Sequence, residues 1–81
     1  MGREYKIKFA VPDSYDPVAL QRKLPSPIHS AAQGDSYQYA IEPDGFYFVD
    51  HLLDRTVAAI ALQCLIDEAL GLTNAVELTE P

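Results

Sequence analysis

The stretch that decides the fold is residues 37–71, YQYAIEPDGFYFVDH running directly into LLDRTVAAIALQCLIDEALG. Its first part reads as a β-hairpin. Aromatic and branched residues flank Glu42-Pro43-Asp44-Gly45, which suits a type I turn: Pro43 presets the second position and Gly45 accepts the left-handed conformation that follows. The expected register pairs Glu42 with Phe46, and therefore Ile41 with Tyr47, Tyr39 with Val49 and Tyr37 with His51. On that register Ile41 and Val49 mark the core face. Phe46 and Phe48 then lie on the opposite face beside Ala40, and these three residues are the expected interface with another chain, because such a face is too apolar to be left in water.

The second part reads as one long helix over residues 55–70, with Asp54 as N-cap and Gly71 as stop. Its polar stripe is narrow, made of Thr56, Gln63 and Asp67. Val57, Ala58, Ile60, Ala61, Leu62, Cys64, Leu65, Ile66, Ala69 and Leu70 fill the remainder. An ordinary surface helix has an apolar stripe of somewhat more than about 100°. This one is wider, so the expectation is cover on more than one side.

Upstream, residues 4–11 alternate strictly. Tyr5, Ile7, Phe9 and Val11 point one way and Lys6, Lys8 and Ala10 the other, the period of a half-buried strand. Pro12 ends it, since proline cannot donate to a ladder. Asp16-Pro17 then opens a short helix whose apolar side is Val18, Leu20 and Leu24, with Arg22 and Lys23 placed where the helix dipole favours cations. Pro25 closes it. Residues 27–33 read either as a short helical turn or as an open loop. Downstream, Thr73-Asn74 makes a turn, and residues 75–79 form a short last strand with Val76 and Leu78 on one side. The order strand, helix, strand, strand, helix, strand is the split βαβ pattern. It resembles a ferredoxin-like sandwich: one α+β domain over residues 1–81, an antiparallel four-stranded sheet with the last strand beside the first, and two helices on one face. The resemblance is one of element order, and so widely reused a fold brings no function with it.

The 81 residues carry 12 acids against 6 bases, a net charge of −6, and 48% apolar residues. That apolar content suits a globular chain. The charge disfavours phosphate binding, so no nucleic-acid partner is expected, and it disfavours an anionic membrane surface. It permits a basic protein partner. One cysteine excludes an internal disulfide, and no cysteine and histidine grouping suggests structural zinc. No spanning segment or signal peptide is legible, and the lone thiol fits a reducing, cytoplasmic location.

Candidate chemistry gathers in Asp50, His51, Asp54 and Arg55. An acid can orient an imidazole that then acts as a base near neutral pH. The simpler account is structural: Asp54 caps a helix, Arg55 pairs with an acid, and Asp50 and His51 end a strand. His29 meeting His51 with Asp50 or Asp54 would give a two-histidine, one-carboxylate metal site. Cys64, mid-helix among apolar neighbours, reads as a small core residue rather than an activated thiolate. Tyr5, Tyr37, Tyr39, Tyr47 and Phe9 could stack on bases, but the accompanying cations are missing. The sequence thus points away from an enzyme, calls for no cofactor or metal, and favours a small acidic interaction or regulatory domain that self-associates as a homodimer or other homo-oligomer. An inhibitor or immunity-like protein for a basic partner is the alternative, and a small enzyme or ligand-binding protein using His51 with Asp50 and Asp54 is the third reading.

Overall fold

Helix-capping and strand-forming residues take up their places in the order β1 (Arg3–Lys8), α1 (Val18–Lys23), β2 (Tyr37–Glu42), β3 (Gly45–Asp50), α2 (Arg55–Leu72) and β4 (Glu77–Thr79). The computed structural model describes residues 2–25 and 36–81; the expected turn at residues 27–33 lies outside them. The strands form one antiparallel sheet in the order β2-β3-β1-β4. The last strand therefore lies beside the first. Helices α1 and α2 contribute to the same core cluster as Ile7, Phe46 and Phe48, so both lie on one sheet face, an α+β arrangement compatible with a two-layer sandwich.

Strand β1 keeps the alternation read from its sequence. Ile7 is fully buried, Phe9 nearly so, and Tyr5 and Val11 pack against the same cluster. The ladder stops at Lys8, yet Phe9 N and Val11 N still donate to Asp44 O and Pro43 O at the hairpin turn. In α1, Asp16 Oδ1 accepts from Val18 N at 3.0 Å, which settles one of the free amides at the helix start. Leu20 is fully buried and Leu24 half-buried, whereas Val18 is exposed rather than part of the apolar side.

The hairpin register differs by one residue from expectation. Glu42 pairs with Gly45, Ile41 with Phe46, Tyr39 with Phe48 and Tyr37 with Asp50. The loop is Pro43-Asp44 alone. Gly45 is a ladder residue, opposite Lys8 on β1 as well, at φ +144, and a Cβ on it would meet Ile7 O at 2.0 Å. A one-residue slip moves a whole strand's side chains to the other face. Phe46 and Phe48, both 0% exposed, therefore belong to the core under the chain's own helices and not to a second surface. This corrects their assignment to an interface face. Ala40 lies on the opposite face, exposed and paired with Tyr47, so the three residues do not form one patch. The phenylalanines pack with their rings in contact: Phe9 meets Phe46 edge-on at 4.9 Å and Tyr37 stacks on Phe48 at 5.5 Å.

The outer sheet face is polar and internally paired. Lys6 Nζ donates to Glu42 and, at 2.8 Å, to Asp44, while Tyr47 donates its hydroxyl proton to Glu4. Those bonds raise the Lys6 ammonium above its usual range, Asp44 being the larger cause, and hold Asp44 below the usual carboxylate range.

Helix α2 starts as its sequence dictates. Asp54 Oδ1 accepts from Thr56 N at 3.1 Å and Val57 N at 3.2 Å. Its end is later than expected: the helix runs through Gly71 and closes at Leu72, where Thr73 N donates to Ala69 O. Ala58, Ala61, Leu65 and Ala69 form the buried face, spaced by three or four residues as a single helix face requires. The small alanines let the helix approach the phenylalanine layer closely.

Candidate functional site

The polar cluster expected at residues 50–55 exists, with a division of labour that the spacing alone does not reveal. Asp50 points inward at the end of β3, its side chain 7% exposed. Its Oδ1 accepts from Leu52 N at 2.7 Å and its Oδ2 from Arg55 Nε at 3.0 Å. The first bond holds Leu52 in a left-handed conformation, φ 64, which a branched-chain residue rarely adopts. The second fixes the Arg55 guanidinium, whose side chain is 69% exposed. Asp54 closes the start of α2. The hydrogen bonds of Asp50 and Asp54 named here run to these groups and not to His51, whose own backbone N donates to Ser36 O. Asp50 and Arg55 are brought together; His51 stands beside them, half-buried. Among the described residues, no group of three histidine, cysteine, aspartate or glutamate side chains could hold a metal ion. His29, the other member of the expected metal set, lies outside those residues.

Beside Asp50 and Arg55 opens a cleft of about 280 Å³, lined by Tyr5, Phe48, Ala58, Ala59 and Leu62 together with that pair. Tyr5 and Phe48 form its floor from β1 and β3, their rings 6.1 Å apart. Ala58, Ala59 and Leu62 are one side of α2. The cleft exists because the helical layer covers the inner sheet face unevenly. Leu78 on β4 pairs with the fully buried Ile7 and shares its face, yet is 50% exposed. Arg3 is the register partner of Asp50, so it shares the inner face, and its guanidinium lies 5.9 Å from the centre of the Tyr5 ring. Arg55 thus lines the recess, and Arg3 lies near the Tyr5 ring that also lines it. Sequence reasoning missed this. Arg3 and Arg55 are far apart in the chain, and it is the β1–β3 register that sets Arg3 opposite the acid to which Arg55 is bonded.

The opposite flank of α2 makes the second polar group. Tyr15 donates its hydroxyl proton to Glu68 at 2.7 Å, and Lys23 Nζ donates to the other Glu68 oxygen at 3.1 Å. The Tyr15 bond first, and Lys23 second, hold the Glu68 carboxyl below its usual range. Burial, then Glu68, push the Tyr15 hydroxyl well above its own. Cys64 is on this flank, half-buried, with its Sγ 3.6 Å from Lys23 O. These contacts join α1 to α2 and are structural.

The outward face of α2 is more apolar. Ile60 and Leu70 are 50% and 46% exposed. Between them lie Gln63 and Asp67, linked by a bond from Gln63 Nε2 to Asp67 Oδ1 at 3.0 Å. Among the described residues, no helix is long and apolar enough to cross a membrane.

No protein-family model, curated protein or solved structure matches the chain.

Proposed function

We propose that the protein is a small interaction or regulatory domain that self-associates through the outward face of α2. One observation carries this reading: the exposed stripe Ile60, Gln63, Asp67, Leu70 has spacings of three, four and three and the order apolar, polar, polar, apolar. It reads the same from either end. A two-fold axis at the level of Leu65 sets Ile60 of one copy against Leu70 of the other and Gln63 against Asp67, in an antiparallel helix pair. Isologous contacts require this reciprocity, residue i on j and j on i. The pairing avoids placing Asp67 against Asp67, and the two helix dipoles oppose each other favourably.

Sedimentation at micromolar concentration tests it. A self-associating species is expected for the unaltered chain. Gln63→Glu should weaken it at least about tenfold by setting like charges together, and Gln63→Lys should preserve or tighten it. A strict monomer, or equal association of the two variants, overturns the reading.

Other observations support the remaining parts of the proposal. The sheet order read from its other edge is 4-1-3-2 with every neighbour antiparallel, which supports a ferredoxin-like topology. The lone thiol supports a reducing, cytoplasmic setting. Lys6 and Lys23 are held by acids of the same chain, which argues against nucleic acid as partner. Glu42, Asp44, Asp50 and Glu68 are likewise occupied internally, which leaves less acidic surface for an inhibitor of a basic protein. In the third reading, that of an enzyme or ligand-binding protein built on His51, the carboxylates of Asp50 and Asp54 also serve Leu52, Arg55 and the start of α2.

A further inference from the structure

The cleft beside α2 combines three properties that point to one ligand chemistry. The half-buried Tyr5 and Leu62 and the exposed Ala59 line it, with buried Phe48 and Ala58 behind them, so it accepts a small apolar body. At about 280 Å³ it is at the small end of ligand clefts, which run to roughly 300–1,000 Å³. Its polar end is cationic and preset. Buried Asp50 accepts from Arg55 Nε at 3.0 Å, and that bond holds one edge of an exposed guanidinium whose residue also lines the cleft. A guanidinium so held receives a carboxylate through two parallel bonds. Arg3 adds a second positive group on the same face. Its contact with Glu80 spans 3.9 Å between side chains 57% and 70% exposed, a pairing that solvent leaves weak.

We infer that this cleft binds a small amphipathic monocarboxylate, an aromatic or branched apolar body ending in one carboxylate. The body lies against Tyr5, Ala59 and Leu62 and the carboxylate meets Arg55, with Arg3 on the far side of the Tyr5 contact as a more distant positive group. Asp50 is a positioning residue here. The site lies on a different flank of α2 from the Ile60–Leu70 stripe, so it stands or falls independently of self-association.

The test is a titration of the isotope-labelled chain followed by amide and methyl NMR, with 3-phenylpropionate as probe and 3-phenylpropionamide as its uncharged match. The carboxylate should give saturable shifts centred on Tyr5, Ala58, Ala59 and Leu62. The amide should bind at least about tenfold more weakly, the loss expected when a charge-assisted pair is removed. Arg55→Gln should weaken the carboxylate by a similar factor and leave the amide unchanged, and Arg3→Gln should have a smaller effect in the same direction. Equal binding of carboxylate and amide, shifts centred elsewhere, or no saturable shift up to about 10 mM overturns the inference. The probe comparison uses the unaltered chain, so the test stands even where Arg55→Gln unfolds by leaving Asp50 unpaired.

Discussion

At Phe48 the choice of sheet face becomes a measurable quantity. The ring is 0% exposed, stacked on Tyr37 and close to Tyr5. Phe48→Ala should therefore lower the unfolding free energy in urea by about 3–5 kcal/mol, the range for emptying a buried aromatic site. A residue waiting for a partner chain would lose far less in the isolated protein, so a change below about 1 kcal/mol would contradict the burial. The face was legible in part. Tyr37, Tyr39 and Ile41 do line the inner side of β2, as their alternation implies, and so do Tyr5, Ile7 and Phe9 on β1. Only β3 was inverted. Glu42-Pro43-Asp44-Gly45 is compatible with a three-residue loop ending in a bulge and equally with a two-residue loop, and the parity of the loop decides the face. The signal that favours the observed register is chemical: the Phe46 and Phe48 side of β3 is more apolar than the Tyr47 and Val49 side. The placing of Arg3 opposite Asp50 was not legible at all, because it depends on the register between β1 and a strand roughly half the chain away.

Among the elements, α2 shows where start signals and stop signals differ in strength. Asp54 acts through two hydrogen bonds that nothing else at that helix start replaces as readily, and the sequence reading of the cap agrees with the geometry. Gly71 is only permissive. The helix passes through it, and a Cβ there would meet nothing within 4 Å. Gly71→Ala should therefore stabilise the protein by about 0.5–1 kcal/mol in thermal melts, through lower backbone entropy in the unfolded chain. Had Gly71 been a left-handed stop, the same change would destabilise. The α1–α2 contact carries a pH signature. Glu68 is held below its ordinary value by Tyr15 and Lys23, so the folded chain binds that proton less readily than the unfolded one. Its contribution is complete above about pH 4.3, the ordinary glutamate value, and is lost as pH falls through the lowered folded value. Glu68→Gln should then cost stability at neutral pH and progressively less as the medium is acidified from there, read from urea midpoints across a pH series. A difference that grows in acid would contradict the assignment.

For the whole molecule, the distribution of polarity is the reverse of what the face assignment implied. The sheet's outer side is where Lys6, Glu42, Asp44, Glu4 and Tyr47 pair with one another, and the helical side is where Ile60, Leu70 and Leu72 meet solvent. Self-association is therefore argued from α2 rather than from β3, and the amphipathic cleft from the incompletely covered strip beside it. The sheet order has a kinetic corollary. The two central strands, β1 and β3, pair Arg3 with Asp50 and Lys8 with Gly45, partners separated by roughly half the chain. The β2–β3 hairpin can close locally, but the central seam waits on a long loop closure whose entropy must be met before its contacts form. Until β1 arrives, the inner face of the hairpin, with Phe46 and Phe48, is bare of its neighbour, so the interval before seam closure is the time during which an unfolded copy of this chain is most exposed to aggregation.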